Sequence, residues 1–269
     1  KYIKFKDPVV EQLCMKWSSD GIGLTPEDAA KVTNIGTTFK GNTEITSFDE
    51  LEKFGVTDIF GDTSSGANGA FYNCTSLTSV KVSPNLTRFG YGAFYGCTSL
   101  KTINIPSSCQ YIERHSFRDT MIDSEIYVPS LNRIGSYAFY GSSVKSFIAP
   151  NYVGDIQEST FRDCYNLVNL DIRSVTSLAS GSFHSANLEG VDLYLPKLRT
   201  WYYGCFANTN IRKITNLGSV VNFGSNVSAA NAMFAGCKKL EYANLPSTLE
   251  IINNNVFNVD DPVTLEIHP

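Results

Sequence analysis

The side chains best suited to chemistry in this sequence are seven cysteines and three histidines, His115, His184 and His268. A structural zinc site needs ligand pairs at short spacing, such as Cys-x-x-Cys, and no such pair occurs in the sequence. Covalent catalysis needs a nucleophile with a base and an orienting group within reach, and three scattered histidines do not supply that set. The sequence therefore predicts no metal site, no cofactor and no catalytic centre, and we expect a protein that is not an enzyme.

A repeat of 22 or 23 residues, marked by phenylalanine, organises most of the chain. Successive members of the series are separated by 23, 23, 22, 22, 22, 23, 28 and 23 residues. The neighbouring residues repeat as well, since residues 69–77 and 92–100 differ at one position. A fixed period of this length predicts a solenoid in which each phenylalanine stacks on the next and forms an aromatic spine. The spine phenylalanines are Phe71, Phe94, Phe117, Phe139, Phe161, Phe183, Phe206, Phe234 and Phe257.

A short alternating apolar run follows the spine phenylalanine and predicts one parallel strand per repeat. Leu100, Ile103 and Ile105 match the L-x-x-L-x-L pattern, in which three apolar side chains point into the core. The predicted fold class is therefore an α+β repeat, a leucine-rich-repeat solenoid with a parallel strand ladder. The single interval of 28 residues predicts an inserted loop around residues 220–230. Several strands should stop at a proline, which cannot donate the next ladder hydrogen bond; these are Pro106, Pro129, Pro150 and Pro246.

Four cysteines occupy one position of this repeat, three residues after a spine phenylalanine. The position requires a small side chain, and cysteine there acts as a small buried hydrophobe. An odd total with repeat-locked placement does not fit a disulfide framework, so we expect free thiols. The four cysteines are Cys74, Cys97, Cys164 and Cys237, and other repeats place Thr120, Ser142, Ala186 or Thr209 there.

The first 46 residues lack the strand repeat and predict a small helical N-terminal cap. Asp7 and Pro8 open one helical pattern, and Thr25 with Pro26 opens a second that continues to about Val32. Residues 47–50 carry another capping-box pattern that predicts a helical turn or two. A cap of this kind would cover the apolar end of the solenoid, so we expect a cap in residues 1–46 and the repeats in residues 47–269.

The charge balance excludes one class of partner. Lys and Arg total 22 against 26 for Asp and Glu, which gives a net charge of −4. Binding to nucleic acid or to an anionic membrane surface requires a basic excess, so neither is expected. No apolar stretch reaches the roughly 18 residues of a membrane span. The sequence opens at Lys1 without an initiator methionine, so we expect any targeting segment to lie outside it.

The Ala-Phe-x-x-Cys-x-x-Leu and Ile-x-Ile-Pro phrases resemble the BspA-like leucine-rich-repeat family, which is abundant in surface proteins of gut and oral Bacteroidetes. The resemblance covers roughly residues 45–269, and the opening segment is similar to the helical regions that often precede such repeats. It implies a secreted or lipid-anchored protein at the outer cell surface. It also implies a role in adhesion to host matrix proteins, host cells or other bacteria.

Many members of that family carry an EF-hand-like loop near the N-terminus, and residues 17–28 look like its remnant. Ser18 stands where the first carboxylate belongs, Ile22 replaces the third ligand, and the run is one residue short. Asp20 alone cannot hold calcium well. We therefore expect a degenerate, structural loop in which Asp20, Glu27 and Asp28 cap helices or face water.

Outward side chains of successive strands should form a column that a ligand contacts one residue per repeat. Aligning the repeats places Lys81, Asn104, Tyr127, Ile148, Asp171, Asp192, Thr215 and Asn244 in that column, with Arg173, Tyr194 and Tyr242 beside it. Tyrosine and arginine on a rigid face are favoured binding anchors. The candidate binding residues are Lys81, Asn104, Tyr127, Asp171, Arg173, Asp192, Tyr194 and Tyr242.

Three functions remain open from the sequence. The chain is expected to be a non-catalytic adhesin that recognises a host extracellular or cell-surface protein through this face. Alternatively, the face binds a glycan, because tyrosines could stack on sugar rings. The repeats could also act as a spacer without a ligand of their own.

Overall fold

The computed structural model describes residues 1–62, 66–223, 232–252, 257 and 262–268. Two short α-helices lie at the N-terminus, α1 (Pro8–Cys14) and α2 (Pro26–Lys31), and 3₁₀ turns span Met15–Trp17 and Asp49–Lys53. None of the helices among the described residues has the length and apolar character to cross a membrane. Most of the predicted inserted loop around residues 220–230 falls outside the described residues.

Both predicted helix starts are confirmed. The Asp7 carboxylate accepts hydrogen bonds from the backbone N–H groups of Val9 and Val10, and its other oxygen accepts from the Thr46 N–H at 2.6 Å. Thr25 and Asp28 form a reciprocal capping box at the start of α2. The Asp7 side chain thus starts the first helix and also fastens it to the segment that enters the repeats.

The prediction for residues 47–50 was wrong in part. A 3₁₀ turn does follow, over Asp49–Lys53, but no side chain caps it. Ser47 instead lies in a strand and pairs with Ser79 of the next strand. The first strand of the solenoid therefore begins where the sequence pattern indicated a helix cap.

Each repeat contributes two short strands rather than the one that was predicted, and the strands form two parallel ladders. The first ladder contains β1 (Ser47–Phe48), β3 (Ser79–Val80), β5 (Thr102–Ile103), β7 (Glu125–Tyr127), β9 (Ser146–Ile148), β11 (Asn169–Asp171), β13 (Asp192–Tyr194), β15 (Lys213–Asn216), β17 (Tyr242–Pro246) and β19 (Thr264–His268). The second ladder contains β2 (Asp58–Ile59), β4 (Arg88–Phe89), β6 (Tyr111–Ile112), β8 (Arg133–Ile134), β10 (Asp155–Ile156), β12 (Ser177–Leu178), β14 (Thr200–Trp201), β16 (Asn222–Phe223) and β18 (Ile251–Ile252).

All strand pairs in both ladders are parallel, as expected when each turn of a solenoid repeats the previous one. The first ladder is paired in three groups, β1-β3-β5, β7-β9-β11 and β13-β15-β17-β19. The second ladder is paired as β2-β4-β6-β8, β10-β12-β14 and β16-β18. The core lies between the two ladders and the turns that carry the spine phenylalanines.

The predicted aromatic spine is confirmed along its whole length. Neighbouring spine rings lie with their centroids 4.9 to 5.6 Å apart and their planes within 16° of parallel. A backbone ladder accompanies the rings: the N–H of Phe117, for example, donates to the Ala138 carbonyl of the next repeat at 2.8 Å. Ring stacking and hydrogen bonding therefore set the same spacing between repeats.

The spine also extends one ring further toward the N-terminus than the sequence indicated. Phe39 stacks on Phe71 with the centroids 5.4 Å apart and contacts Phe48 at 5.0 Å. Trp17, which follows α1, packs against Phe39 and Phe54. The helical segment thus covers the end of the spine through aromatic contacts, while the division at residue 46 stays a prediction.

The cysteine position is explained by one recurring hydrogen bond. The Cys97 thiol donates to the Phe71 carbonyl of the preceding repeat at 3.0 Å, and the thiols of Cys74, Cys164 and Cys237 make the equivalent bond. All seven cysteines are buried and none is in a disulfide, as predicted. Burial raises the pKa of Cys164 to about 12, so this thiol stays protonated and able to donate.

A turn position two residues before the spine phenylalanine has left-handed backbone angles. Gly92, Gly181 and Gly204 adopt them without steric cost, but His115 and Tyr137 occupy the same position with φ near 59°. The His115 ring lies between Tyr95 and Tyr137, with centroids at 5.4 and 5.0 Å. Aromatic stacking between repeats offsets the backbone strain at this point.

We expect Phe161→Ala to lower the free energy of unfolding by about 3–5 kcal/mol, because a buried ring that contacts Phe139, Phe147 and Phe183 leaves a cavity. Urea unfolding followed by circular dichroism measures the change. The matched control is Tyr165→Ala on the same turn, where the side chain is 65% exposed and the change should stay within about 0.5 kcal/mol. Equal losses in the two variants would contradict the spine as the source of stability.

We expect His115 to make the free energy of unfolding depend on pH. Burial, with the neighbouring charges of Arg114 and Arg118, lowers the pKa of His115 to about 4 from its ordinary 6.5. Between those values the unfolded chain binds a proton that the folded chain does not, so stability falls as the pH is lowered through this window. The resulting loss of unfolding free energy is at most about 3 kcal/mol, because solvent screens part of the effect.

His115→Asn tests this dependence, because asparagine tolerates the left-handed backbone and does not titrate. We expect the free energy of unfolding of the wild type to decline more steeply than that of the variant between pH 6.5 and 4. Chemical unfolding at intervals of half a pH unit gives both slopes. Parallel slopes would show that His115 is not the titrating group.

Candidate functional site

The outward face of the first ladder, here called the strand face, carries the predicted binding residues. In β7 and β13 the central residue, Ile126 or Leu193, is buried and the residues before and after it are exposed. The strand face therefore consists of two outward rows, one on either side of the buried row. In the second outward row, the register places Tyr127 beside Ile148 and Ile148 beside Asp171, as predicted.

The predicted column was wrong at Asp192. Asp192 pairs with Lys213, and Lys213 pairs with Tyr242, so these three residues lie in the row before the buried position. Tyr194, two residues later, lies on the other side of the buried Leu193. The predicted column is therefore two residues out of register in this strand, and an irregularity between Leu193 and Tyr194 places Tyr194 opposite Asn216. No local pattern of residues indicates that irregularity.

Two tyrosines stand out on the strand face. Tyr127 is 55% exposed and Tyr194 is 48% exposed, although both lie on strands whose backbones are fixed by the ladder. Ile148, which pairs with Tyr127, is half-buried and adds apolar surface between them. The face therefore presents large side chains whose positions are set before any ligand arrives.

Asp171 and Arg173 form a two-pronged ion pair on the same face. The guanidinium donates to both carboxylate oxygens, with Nε to Oδ1 at 2.9 Å and a terminal nitrogen to Oδ2 at 2.7 Å. Asp171 is the main cause of the raised pKa of Arg173, and Tyr194 contributes as a neighbour. The pair orients the exposed guanidinium beside Tyr194 and leaves its remaining donors for a ligand.

Asp192, Lys213 and Tyr242 continue the face toward the C-terminal end. Lys213 lies 3.6 Å from the Asp192 carboxylate and 6.0 Å from the centre of the Tyr242 ring. The Tyr242 hydroxyl donates to Glu266 at 2.8 Å, and this hydrogen bond raises the pKa of Tyr242. Tyr242 is thus engaged by neighbouring side chains, so the more exposed tyrosines of the strand face are Tyr127 and Tyr194, nearer its middle.

Two predicted binding residues lie toward the N-terminal end, and only one is available. Lys81 is exposed. The Asn104 amide instead bonds to the Val82 backbone in both directions, accepting from its N–H at 2.8 Å and donating to its carbonyl at 3.0 Å. The Asn104 side chain thereby extends the pairing between two repeats, so its polar groups serve the fold.

The remnant of the calcium loop is closed by its own hydrogen bonds. Asp20 Oδ1 accepts from the N–H groups of Ile22 and Gly23 and from the Ser18 hydroxyl, and Oδ2 accepts from the Tyr2 hydroxyl at 2.7 Å. The hydrogen bond from Tyr2 is the main cause of the lowered pKa of Asp20. The carboxylate oxygens that an ion would need are engaged by the protein, which fits a structural loop.

Glu113 was not singled out from the sequence and is the centre of a charge cluster on the second ladder. Its carboxylate is 2% exposed and accepts from Arg88 Nε at 3.1 Å and from the Arg133 guanidinium through both oxygens. Arg88 also contacts Asp58 at 3.0 Å. Both carboxylate oxygens of Glu113 are thus engaged by cations of the two neighbouring repeats. No metal-binding group of three or more His, Cys, Asp or Glu residues occurs among the described residues.

Three solved structures are similar in fold. A leucine-rich repeat protein from Bacteroides ovatus has 19% sequence identity and a TM-score of 0.48, and the match covers 80% of this chain and 62% of that chain. A leucine-rich repeat protein from Eubacterium ventriosum has 16% identity and a TM-score of 0.35, with 80% of this chain and 68% of that chain covered. A leucine rich cell surface protein from Faecalibacterium prausnitzii has 19% identity and a TM-score of 0.31, with 88% of this chain and 83% of that chain covered. This chain therefore spans less than two thirds of the Bacteroides ovatus protein. Curated protein sequences give no match.

The sequence model of the BspA type leucine rich repeat region matches six copies, over residues 30–123 and 124–231. These ranges include seven of the nine predicted spine phenylalanines and most strands of both ladders. The match also begins before residue 46, in the segment where Phe39 extends the spine. The chain belongs to the BspA type leucine-rich-repeat family.

Proposed function

We propose that this chain is a non-catalytic binding protein of the bacterial cell surface, which recognises a host extracellular or cell-surface protein through the strand face. The observation that carries the proposal is the pair of exposed tyrosines, Tyr127 and Tyr194, on a rigid ladder with the Asp171–Arg173 ion pair beside them. Tyrosine and arginine are the side chains that most often anchor protein interfaces. The surface location is supported by the family to which the chain belongs.

A protein partner fits the strand face better than a small ligand does. The outward rows continue along the first ladder over many repeats, and a standard interface requires about 800 Å² on each partner. The polar side chains there carry both signs, with Lys81, Asp171, Arg173 and Asp192 spread along the face. A mixed surface of this kind suits a protein partner better than a polyanion.

The test is a pair of double variants measured against a panel of immobilised extracellular-matrix proteins. We expect Tyr127→Ala/Tyr194→Ala to weaken binding by about tenfold or more, since a buried aromatic anchor contributes about 2 kcal/mol. The matched control is Tyr165→Ala/Tyr203→Ala, because these tyrosines are 65% and 56% exposed and lie outside the first ladder. Surface plasmon resonance gives both dissociation constants.

Three outcomes would contradict the proposal. Equal losses in the two double variants would place the interface elsewhere. Binding of the folded wild type to a glycan array and to none of the proteins would favour the glycan module. Binding to neither would favour a spacer without its own ligand.

A further inference from the structure

A half-enclosed groove lies away from the strand face, on the connections that lead from the first ladder to the second. Its main cavity has a volume of about 450 Å³ and is lined by residues of four consecutive connections, including Val153, Thr176, Lys197, Arg199 and Ser219. A second cavity of about 150 Å³ adjoins it, shares Arg199 and is bordered by Trp201. The volume of the main cavity is in the range of small-molecule sites.

The groove is positively charged, although the chain is acidic overall. Lys197 and Arg199 are both exposed, and neither forms an ion pair with another residue in the described part of the chain. No carboxylate is among the described lining residues of either cavity. Two cations that have no ion-pair partner in the described residues favour a ligand that supplies negative charge.

The walls of the groove are fixed by hydrogen bonds between repeats. The Arg199 N–H donates to the Thr176 carbonyl at 2.9 Å, and the Thr176 N–H donates to the Gly154 carbonyl at 3.0 Å. The hydroxyls of Ser174 and Thr176 donate to carbonyls of the preceding connection. Because these hydroxyls donate to the protein, their oxygens remain as acceptors among the residues that line the groove.

We propose that this groove binds an acidic saccharide, with a carboxylate or sulfate group held by Lys197 and Arg199. Sugar hydroxyls would donate to Ser174 and Thr176, and the apolar faces of Val153 and Pro196 would contact the ring. The cavity accommodates a small ligand and is too small for the footprint of a protein. This site is separate from the strand face, so its occupation and the recognition of a protein partner are independent.

The test uses isothermal titration calorimetry with three probes: tetragalacturonate, sulfated maltotetraose and uncharged maltotetraose. We expect one or both acidic probes to bind the wild type and the uncharged probe not to bind. A response to tetragalacturonate alone would identify a carboxylate as the recognised group, and a response to the sulfated probe alone would identify a sulfate. Absence of binding by both acidic probes, or equal binding of the uncharged one, overturns the proposal.

Two double variants locate the site. We expect Lys197→Gln/Arg199→Gln to weaken binding of the acidic probe by about tenfold or more, because hydrogen bonds to charged groups are lost. Lys101→Gln/Lys145→Gln removes the same charge from two other exposed lysines and should change the dissociation constant less than about twofold. An equal loss in both would show non-specific attraction and overturn the proposal.

Thr176→Val adds a variant that keeps the net charge and the shape of the side chain. We expect binding to weaken by about fivefold, because the acceptor for a sugar hydroxyl is removed. Circular dichroism on each variant checks that the fold is retained. Full affinity in Thr176→Val and in the Lys197/Arg199 variant together would place the ligand outside the groove.

Discussion

The stacking of the spine phenylalanines is the interaction on which the rest of the structure depends. The centroid distances of 4.9 to 5.6 Å lie close to the spacing of about 4.8 Å between paired strands. One translation per repeat therefore permits both ring stacking and strand pairing. The same translation brings the thiol of each of the four repeat-position cysteines within hydrogen-bond distance of a phenylalanine carbonyl, as for Cys97 and Phe71. A side chain larger than cysteine or threonine at that position would force the rings apart.

Because the core is repeated along the chain, the outer surface is also divided into repeated rows, and the row residues differ in whether their side chains bond to a neighbouring repeat or stay exposed. Asn104 belongs to the first kind, since both ends of its amide are bonded to the Val82 backbone. Tyr127 belongs to the second, since its ring is exposed beside a half-buried Ile148. The position in the repeat alone does not distinguish these two kinds of residue, whereas the hydrogen-bond partners of the side chain do.

The sequence was sufficient where the physical signal is periodic or local. Nine phenylalanines in register fixed the spine, and Asp7 and Thr25 fixed two helix starts, because capping depends on residues a few positions apart. The second ladder was missed because strands such as Arg88–Phe89 are too short to show alternation. Phe39 was missed because it lies 32 residues before Phe71, outside the regular spacing. Part of the candidate column was identified, from Tyr127 to Asp171, but the side of the buried row on which Asp192 lies depends on strand pairing that no local pattern records.

The segment that supports Tyr127 is held together by contacts beyond the core. Glu113 binds Arg88 of the preceding repeat and Arg133 of the following one, so one buried carboxylate joins three repeats. On the turn side, the Arg118 guanidinium lies over the rings of Tyr95 and Tyr140 at 4.9 and 4.7 Å, which also belong to different repeats. A solenoid bends where neighbouring repeats shift against each other, and side chains that span two interfaces oppose that shift. These contacts hold the strand of Tyr127 in place before any partner binds. An interface anchored by this tyrosine would therefore lose less conformational entropy when it forms.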